Sequence, residues 1–136
     1  MLLVLDSNEY LFAVGLVRKL HSEHLLNILI EKFPVHQIRI PRLIVDEVRR
    51  HLPPEVFSDL LSSLHLIVSV DEDFVVPFEL GVKYESKGLK PADSFIAAYT
   101  EWVGAEALVT ENRHFLTRRS DLPFRVLTAE QVLKIL

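Results

Sequence analysis

The chain has no cysteine among its 136 residues. That excludes a disulfide framework and a thiolate metal site, and makes a reducing compartment the simplest home. Only four glycines are present, and no Gly-rich phosphate loop is found among them. Long apolar runs are missing too. Met1–Leu5 lacks a basic leader and is cut off by Asp6, which is too short for a signal peptide or a bilayer span, and no later run is long enough to cross. Positive charge is not in excess: Lys and Arg number 15 against 19 Asp and Glu, a formal net charge of −4. This argues against a generic nucleic-acid coat, which needs a positive field. It leaves an acidic, metal-using nuclease open, because bound cations offset the charge of such a site. Repeats, linkers and low-complexity tracts are absent. What remains, 49% hydrophobic and 25% charged residues, is globular usage in a chain long enough to bury a core. A single domain over residues 1–136, cytoplasmic and without a membrane segment, is expected.

Short apolar runs alternate with helical patterns. Leu2–Leu5, Gln37–Ile40, Leu66–Val70, Ala107–Thr110 and Phe124–Leu127 read as strands. Helices are expected from about Asn8 to Leu20 and from Ser22 to Phe33, closed by Pro34. Others run from Pro41 to about His51, from the Pro53-Pro54 pair to Leu64, and from Pro77 to about Lys87 before Gly88. A further helix starts at Pro91, where a first turn tolerates proline, and runs to Val103 before Gly104. Thr128-Ala-Glu-Gln131 is a capping box for a C-terminal helix. This order predicts an α/β fold: one three-layer domain with a parallel sheet of about five strands flanked by helices. In such folds ligands bind beyond the carboxyl ends of the strands.

Four positions place polar groups there. Asp6 ends the first strand, Glu47 lies on the helix after the second, Asp93 opens the helix behind Pro91, and Glu111-Asn112 follow Thr110 after the fourth strand. Each has a structural explanation. Asp6 could cap the first helix, with Glu9 completing a box. Asp93 suits the positive end of a helix dipole. Glu111 and Asn112 could be first-turn residues behind a Thr110 cap. Glu47 is more telling. On a helical wheel Ile44, Val45, Val48 and Leu52 form the buried arc, Asp46 points away, and Glu47 sits at the border, where a carboxylate is costly unless something pairs with it. A salt bridge to Arg42 or Arg50, or simple solvation, would satisfy it.

The combination is more specific than any member. Carboxylates of Asp6, Glu47 and Asp93 sharing one crevice would repel by roughly 1–4 kcal/mol per pair, so either some protonate or a cation joins them. Hard oxygen ligands without Cys or paired His select Mg²⁺ or Mn²⁺ over zinc. Such an ion can hold a phosphodiester and activate water.

Strand-Asp6-Ser7-Asn8, helical Glu47, Lys90-Pro91-Ala92-Asp93 leading an Ala-rich helix, and Leu108-Val109-Thr110-Glu111-Asn112-Arg113-His114-Phe115 together resemble the PIN domain family. The match runs in the family's order over nearly the whole chain and is similar to the prokaryotic VapC-like toxin ribonucleases. The resemblance implies a parallel sheet between helices and a Mg²⁺- or Mn²⁺-dependent endoribonuclease with Asp6, Glu47 and Asp93 as metal-binding catalytic residues. It also implies an RNA substrate, a homodimer and an antitoxin protein as partner. The family's fourth acidic position is Asn112 here, which can still ligate or hold a water but supplies no charge. Glu111 and Thr110 rank behind it. Arg49, Lys90 and Arg113 are candidate RNA contacts, with Arg50 beside them. A catalytically weak PIN-like module that binds RNA or protein is the alternative, and Asn112 is the feature that supports it. Other chemistries fit less well. A haloacid-dehalogenase-type phosphatase needs an aspartate where Asn8 stands, and His21 and His24 read as solvated residues at a helix start.

Overall fold

The computed structural model of the chain describes residues 1–117 and 121–136. Its first strand, β1 (Leu2–Leu5), buries Leu3, Val4 and Leu5 almost completely, as a strand covered on both faces must. The others are β2 (Gln37–Pro41), β3 (Val68–Asp71), β4 (Ala107–Val109) and β5 (Arg125–Leu127). They form one parallel sheet in the order β3-β2-β1-β4-β5. The register sets Leu3 beside Ile38 on one side of β1 and beside Ala107 on the other. The chain winds outward from β1 through β2 to β3, then returns to lay β4 against the other side of β1. The reversal between β1 and β4 is the switch point of the sheet, and its carboxyl edge is where α/β folds bind ligands.

Helices cover both faces in three layers, as expected. They are α1 (Ser7–Val14), α2 (Leu20–Glu31), α3 (Arg42–Arg50), α4 (Pro54–Leu64), α5 (Phe78–Ser86), α6 (Pro91–Trp102), the one-turn α7 (Arg113–Leu116) and α8 (Ala129–Leu133). Helix α1 packs on α2 and α3, α2 on α8, and α5 on α6. Among the described residues no helix is long and apolar enough to cross a membrane.

The first helix is shorter than the expected Asn8–Leu20. It stops at Val14 because the backbone of Gly15 turns extended (φ −82°, ψ −170°), its N–H making the last helical bond to the Leu11 carbonyl at 2.7 Å. A Cβ there would come within 2.5 Å of that same oxygen, so only glycine allows the turn. The apolar pattern that seemed to continue through Leu16, Val17 and Leu20 lies instead on an exposed loop and the start of α2. Helix α3 begins one residue after Pro41, which has no side chain to cap it. Asp73, in a short 3₁₀ turn after β3, accepts the Leu43 N–H at 3.0 Å in its place. The capping box Thr128–Gln131 forms as read.

Candidate active site

Asp6 follows β1 directly and is the N-cap of α1. Its backbone N–H donates to the Val109 carbonyl at 2.9 Å, which ties the start of α1 to the end of β4. The side chain is only 6% exposed. Oδ1 accepts the Ser7 N–H at 2.8 Å and Oδ2 accepts the Thr110 hydroxyl at 2.9 Å. The Thr110 oxygen in turn accepts the Asn112 N–H at 3.0 Å, and Asn112 Oδ1 accepts the His114 N–H at 3.0 Å. A chain of hydrogen bonds thus crosses the switch point and fixes one carboxylate in orientation. Thr110 is the clamp of that carboxylate, not the cap of the next helix. Asn112 is the cap, of α7.

Thr110→Val keeps the volume but removes the hydroxyl, leaving both Asp6 Oδ2 and the Asn112 N–H without their partner. Stability is expected to fall by about 1–3 kcal/mol, measured by urea unfolding. An unchanged unfolding midpoint would take the hydroxyl out of this role.

Glu47 and Asp93 are half-buried, on the middle of α3 and in the first turn of α6. Burial raises the Asp6 pKa above the ordinary carboxylate value. The Thr110 and Ser7 hydrogen bonds oppose this, and the negative charges of Glu47 and Asp93 add to it. Asp93 is raised as well, first by burial, with His114 and Lys90 pulling it down and Glu47 pushing it up. The three carboxylates are therefore within electrostatic reach of one another.

Among the described residues neither the Glu47 nor the Asp93 side chain is held by a hydrogen bond or ion pair. Arg42 pairs with Glu72, and among the described residues Arg50 makes no ion pair with Glu47, so the salt bridge that would have explained Glu47 structurally is not made. In the conformers present, no group of three or more His, Asp or Glu among the described residues is arranged so that it could hold a metal ion. The donor set itself, carboxylate oxygens with no sulfur, suits a hard cation such as Mg²⁺ or Mn²⁺.

The other candidates divide. Lys90, the exposed residue before α6, and Arg113, exposed on α7, stand on elements that bear site residues. Arg49 is exposed too, but its charge is engaged by Asp46. Glu111 turns away, its Oε2 accepting the Ala129 N–H of α8 at 3.1 Å.

Two features were not read from the sequence. His114 acts on Asp93 from α7. Glu9 does not reach back to complete a capping box with Asp6. It is 1% exposed and accepts the Ser22 hydroxyl of α2 at 2.8 Å. Its other oxygen, Oε1, is buried without a hydrogen-bond donor. Burial, then the neighbouring Glu111 carboxylate, push the Glu9 pKa up to about 9 against the Ser22 bond. Once protonated, Glu9 itself becomes the donor toward Glu111. The only sequence hint was its place three residues after Asp6, which suits a cap equally well.

No protein-family model matches the sequence, and no curated protein matches it either. Solved structures do. VapBC2 from Rickettsia felis, bound to a DNA fragment from their promoter, is similar with a TM-score of 0.65 at 19% identity, over 94% of this chain and 98% of that one. FitAcB from Neisseria gonorrhoeae is similar with a TM-score of 0.63 at 16% identity, again over 94% and 98%. The likeness covers 94% of the chain in each case, and the chain has a PIN-like fold.

Proposed function

We propose that this chain is a metal-dependent endoribonuclease that hydrolyses RNA phosphodiester bonds, and the toxin of a toxin–antitoxin pair. The observation that carries the reading is that Asp6, Glu47 and Asp93, from three separate elements, lie within electrostatic reach of one another at the switch point of a PIN-like sheet, the Glu47 charge raising the proton affinity of both aspartates. Asp6, Glu47 and Asp93 would hold Mg²⁺ or Mn²⁺. Such an ion supplies, when bound, a Lewis acid for the phosphate and for the attacking water. The chain's own work is positional. The Ser7 N–H and Thr110 hydroxyl pin Asp6, so one ligand is oriented in advance. Glu47 and Asp93 adjust around it. Lys90 and Arg113, both exposed, would take phosphates of the RNA, with Arg49 available only by giving up Asp46. The similarity to VapBC2 and FitAcB supports an antitoxin protein as partner; a homodimer and a cytoplasmic site of action belong to the same proposal.

The alternative is a catalytically weak module that binds RNA or protein. It is favoured by one observation: Asn112, in the fourth site position, is neutral and spends its Oδ1 on capping α7.

One experiment separates the two. Purified protein is expected to cut single-stranded RNA with Mg²⁺ or Mn²⁺ and to stop on addition of EDTA. Asp93→Asn removes a charge but little volume, and calorimetry is expected to show Mn²⁺ affinity weakened by at least roughly tenfold. RNA bound but never cut, with either metal, selects the binding module. Unchanged Mn²⁺ affinity removes Asp93 from the ligand set.

A further inference from the structure

Strand β3 is an outer edge of the sheet. It pairs with β2 on one side, and among the described residues no backbone hydrogen bond reaches Val68–Asp71 from the other. Its outward N–H and C=O groups are a template for a further strand. Alternation turns Val68 and Val70 to the face that carries α4, and Ser69 to the opposite one. Val68 and Val70 line an apolar cavity of about 170 Å³ on that face, walled by Ile40, Val48, Leu60 and Leu64. It opens beside the strand, where Leu61 and Val70 are 42% and 44% exposed. An engineered apolar cavity of about 150 Å³ takes up benzene, so this one has room for a leucine or phenyl side chain. A strand added along β3 would carry every second side chain to its mouth.

Charge defines the kind of chain that fits. Residues 51–82 build α4, β3 and the start of α5. They include Glu55, Asp59, Asp71, Glu72, Asp73 and Glu79 but no Lys or Arg. Arg39 and Arg42, from outside this stretch, engage Asp71 and Glu72, and Asp73 caps α3. Glu55, Asp59 and Glu79 are exposed and make no ion pair among the described residues. A second copy paired edge to edge would bring the same acids against these, and an RNA would bring its phosphates. Both are disfavoured by like-charge repulsion.

We infer that the β3 edge takes up an extended, basic segment of a partner protein as a sixth strand, with one apolar side chain of that segment seated in the cavity. Main-chain bonds along the edge give affinity, and the cavity selects the side chain. The site is independent of the nuclease reading, because its lining contains none of Asp6, Glu47 and Asp93.

The probe is a capped heptapeptide, Lys-Val-Lys-Leu-Lys-Val-Lys, titrated into isotope-labelled protein and followed by NMR. Saturable shifts are expected at the amides of Ser69 and Val70 and at the methyl groups of Leu61, Leu64 and Val68. Replacing the peptide's lysines by glutamates should weaken binding at least roughly tenfold. Alternate amides of a strand point to opposite edges, so N-methylation along one edge of the peptide should cost roughly tenfold or more and along the other edge little. Val70→Lys, at an exposed position, should abolish binding, and Leu64→Phe, which fills the cavity, should weaken it. The proposal is overturned if the lysine peptide shows no saturable binding, if the glutamate peptide binds as well, or if both N-methylated forms are tolerated. It is also overturned if sedimentation shows a wild-type dimer that Val70→Lys dissociates, for then a second copy covers the edge.

Discussion

Asp6→Asn is expected to reduce RNA cleavage by roughly 100-fold or more while leaving the protein as stable as before, or more so. The activity loss follows from the proposed role of Asp6: an amide holds a divalent cation poorly, and losing a few kcal/mol of charge stabilisation costs a factor of ten for every 1.4 kcal/mol, approximately. The stability result follows from the site's electrostatics. Asp6 is buried and its pKa is raised, so its ionised form is disfavoured in the folded chain relative to the unfolded one. The stability associated with the protonated group is present below the unfolded value and is lost as pH rises through the folded one. At neutral pH the charge is therefore a burden that asparagine relieves. The amide can still accept the Ser7 N–H and can donate to the Thr110 oxygen, so the cap survives. Asp6→Ala differs, because it loses the cap and leaves the Ser7 N–H and the Thr110 hydroxyl unpaired; it should cost about 1–3 kcal/mol. Thermal melts at neutral pH beside a cleavage assay check both. If Asp6→Asn loses stability and activity together, its lost activity reports unfolding, and Asp6 is a structural cap.

The parts legible in the sequence are those governed by local pattern. Leu2–Leu5 had to be a buried strand because it is apolar throughout and ends at a polar residue, and that placed Asp6 at a strand's carboxyl end before any pairing was known. The buried arc of Ile44, Val45, Val48 and Leu52 likewise put Glu47 at a boundary, and all four apolar residues are buried in the structure. Errors arose where a long-range contact decides. Leu16 and Val17 continue an apolar rhythm, yet a single close approach at Gly15 ends the helix before them. Asn112 and Thr110 exchange roles because Asp6, 104 residues away from Thr110, claims the threonine hydroxyl. Glu9 meets Ser22 because α1 packs on α2, and nothing in the spacing of those two residues announces it. The side-chain arrangement of the three carboxylates belongs to the same class, since each comes from a different element.

Glu9 gives the second large effect. Replacing it by glutamine should make the protein progressively more stable than wild type as pH rises from about 5 to 9. The folded chain holds a proton on Glu9 up to about pH 9, whereas an unfolded glutamate releases it near 4.3, approximately. Between those values the folded state carries one more proton than the unfolded state, so wild-type stability declines by up to about 1.4 kcal/mol per pH unit from this group alone. Deprotonation would leave two carboxylates, Glu9 and Glu111, facing each other in a buried space with Asp6 close by. Glutamine copies the protonated acid: its oxygen accepts the Ser22 hydroxyl and its amide donates toward Glu111. At pH 5, where Glu9 is protonated in the folded chain and mostly charged when unfolded, this group has cost the wild type only about 1 kcal/mol, so the two proteins should be close in stability. By pH 9 the glutamine variant should lead by several kcal/mol, the order of magnitude that this slope implies. Glu9→Ala opens a cavity and strands the Ser22 hydroxyl, and should be destabilised throughout. Urea unfolding of wild type and Glu9→Gln at four or five pH values measures the difference directly. A gap that stays constant from pH 5 to 9 means that the folded chain does not retain this proton, and that Glu9 contributes its charge to the site beside Asp6.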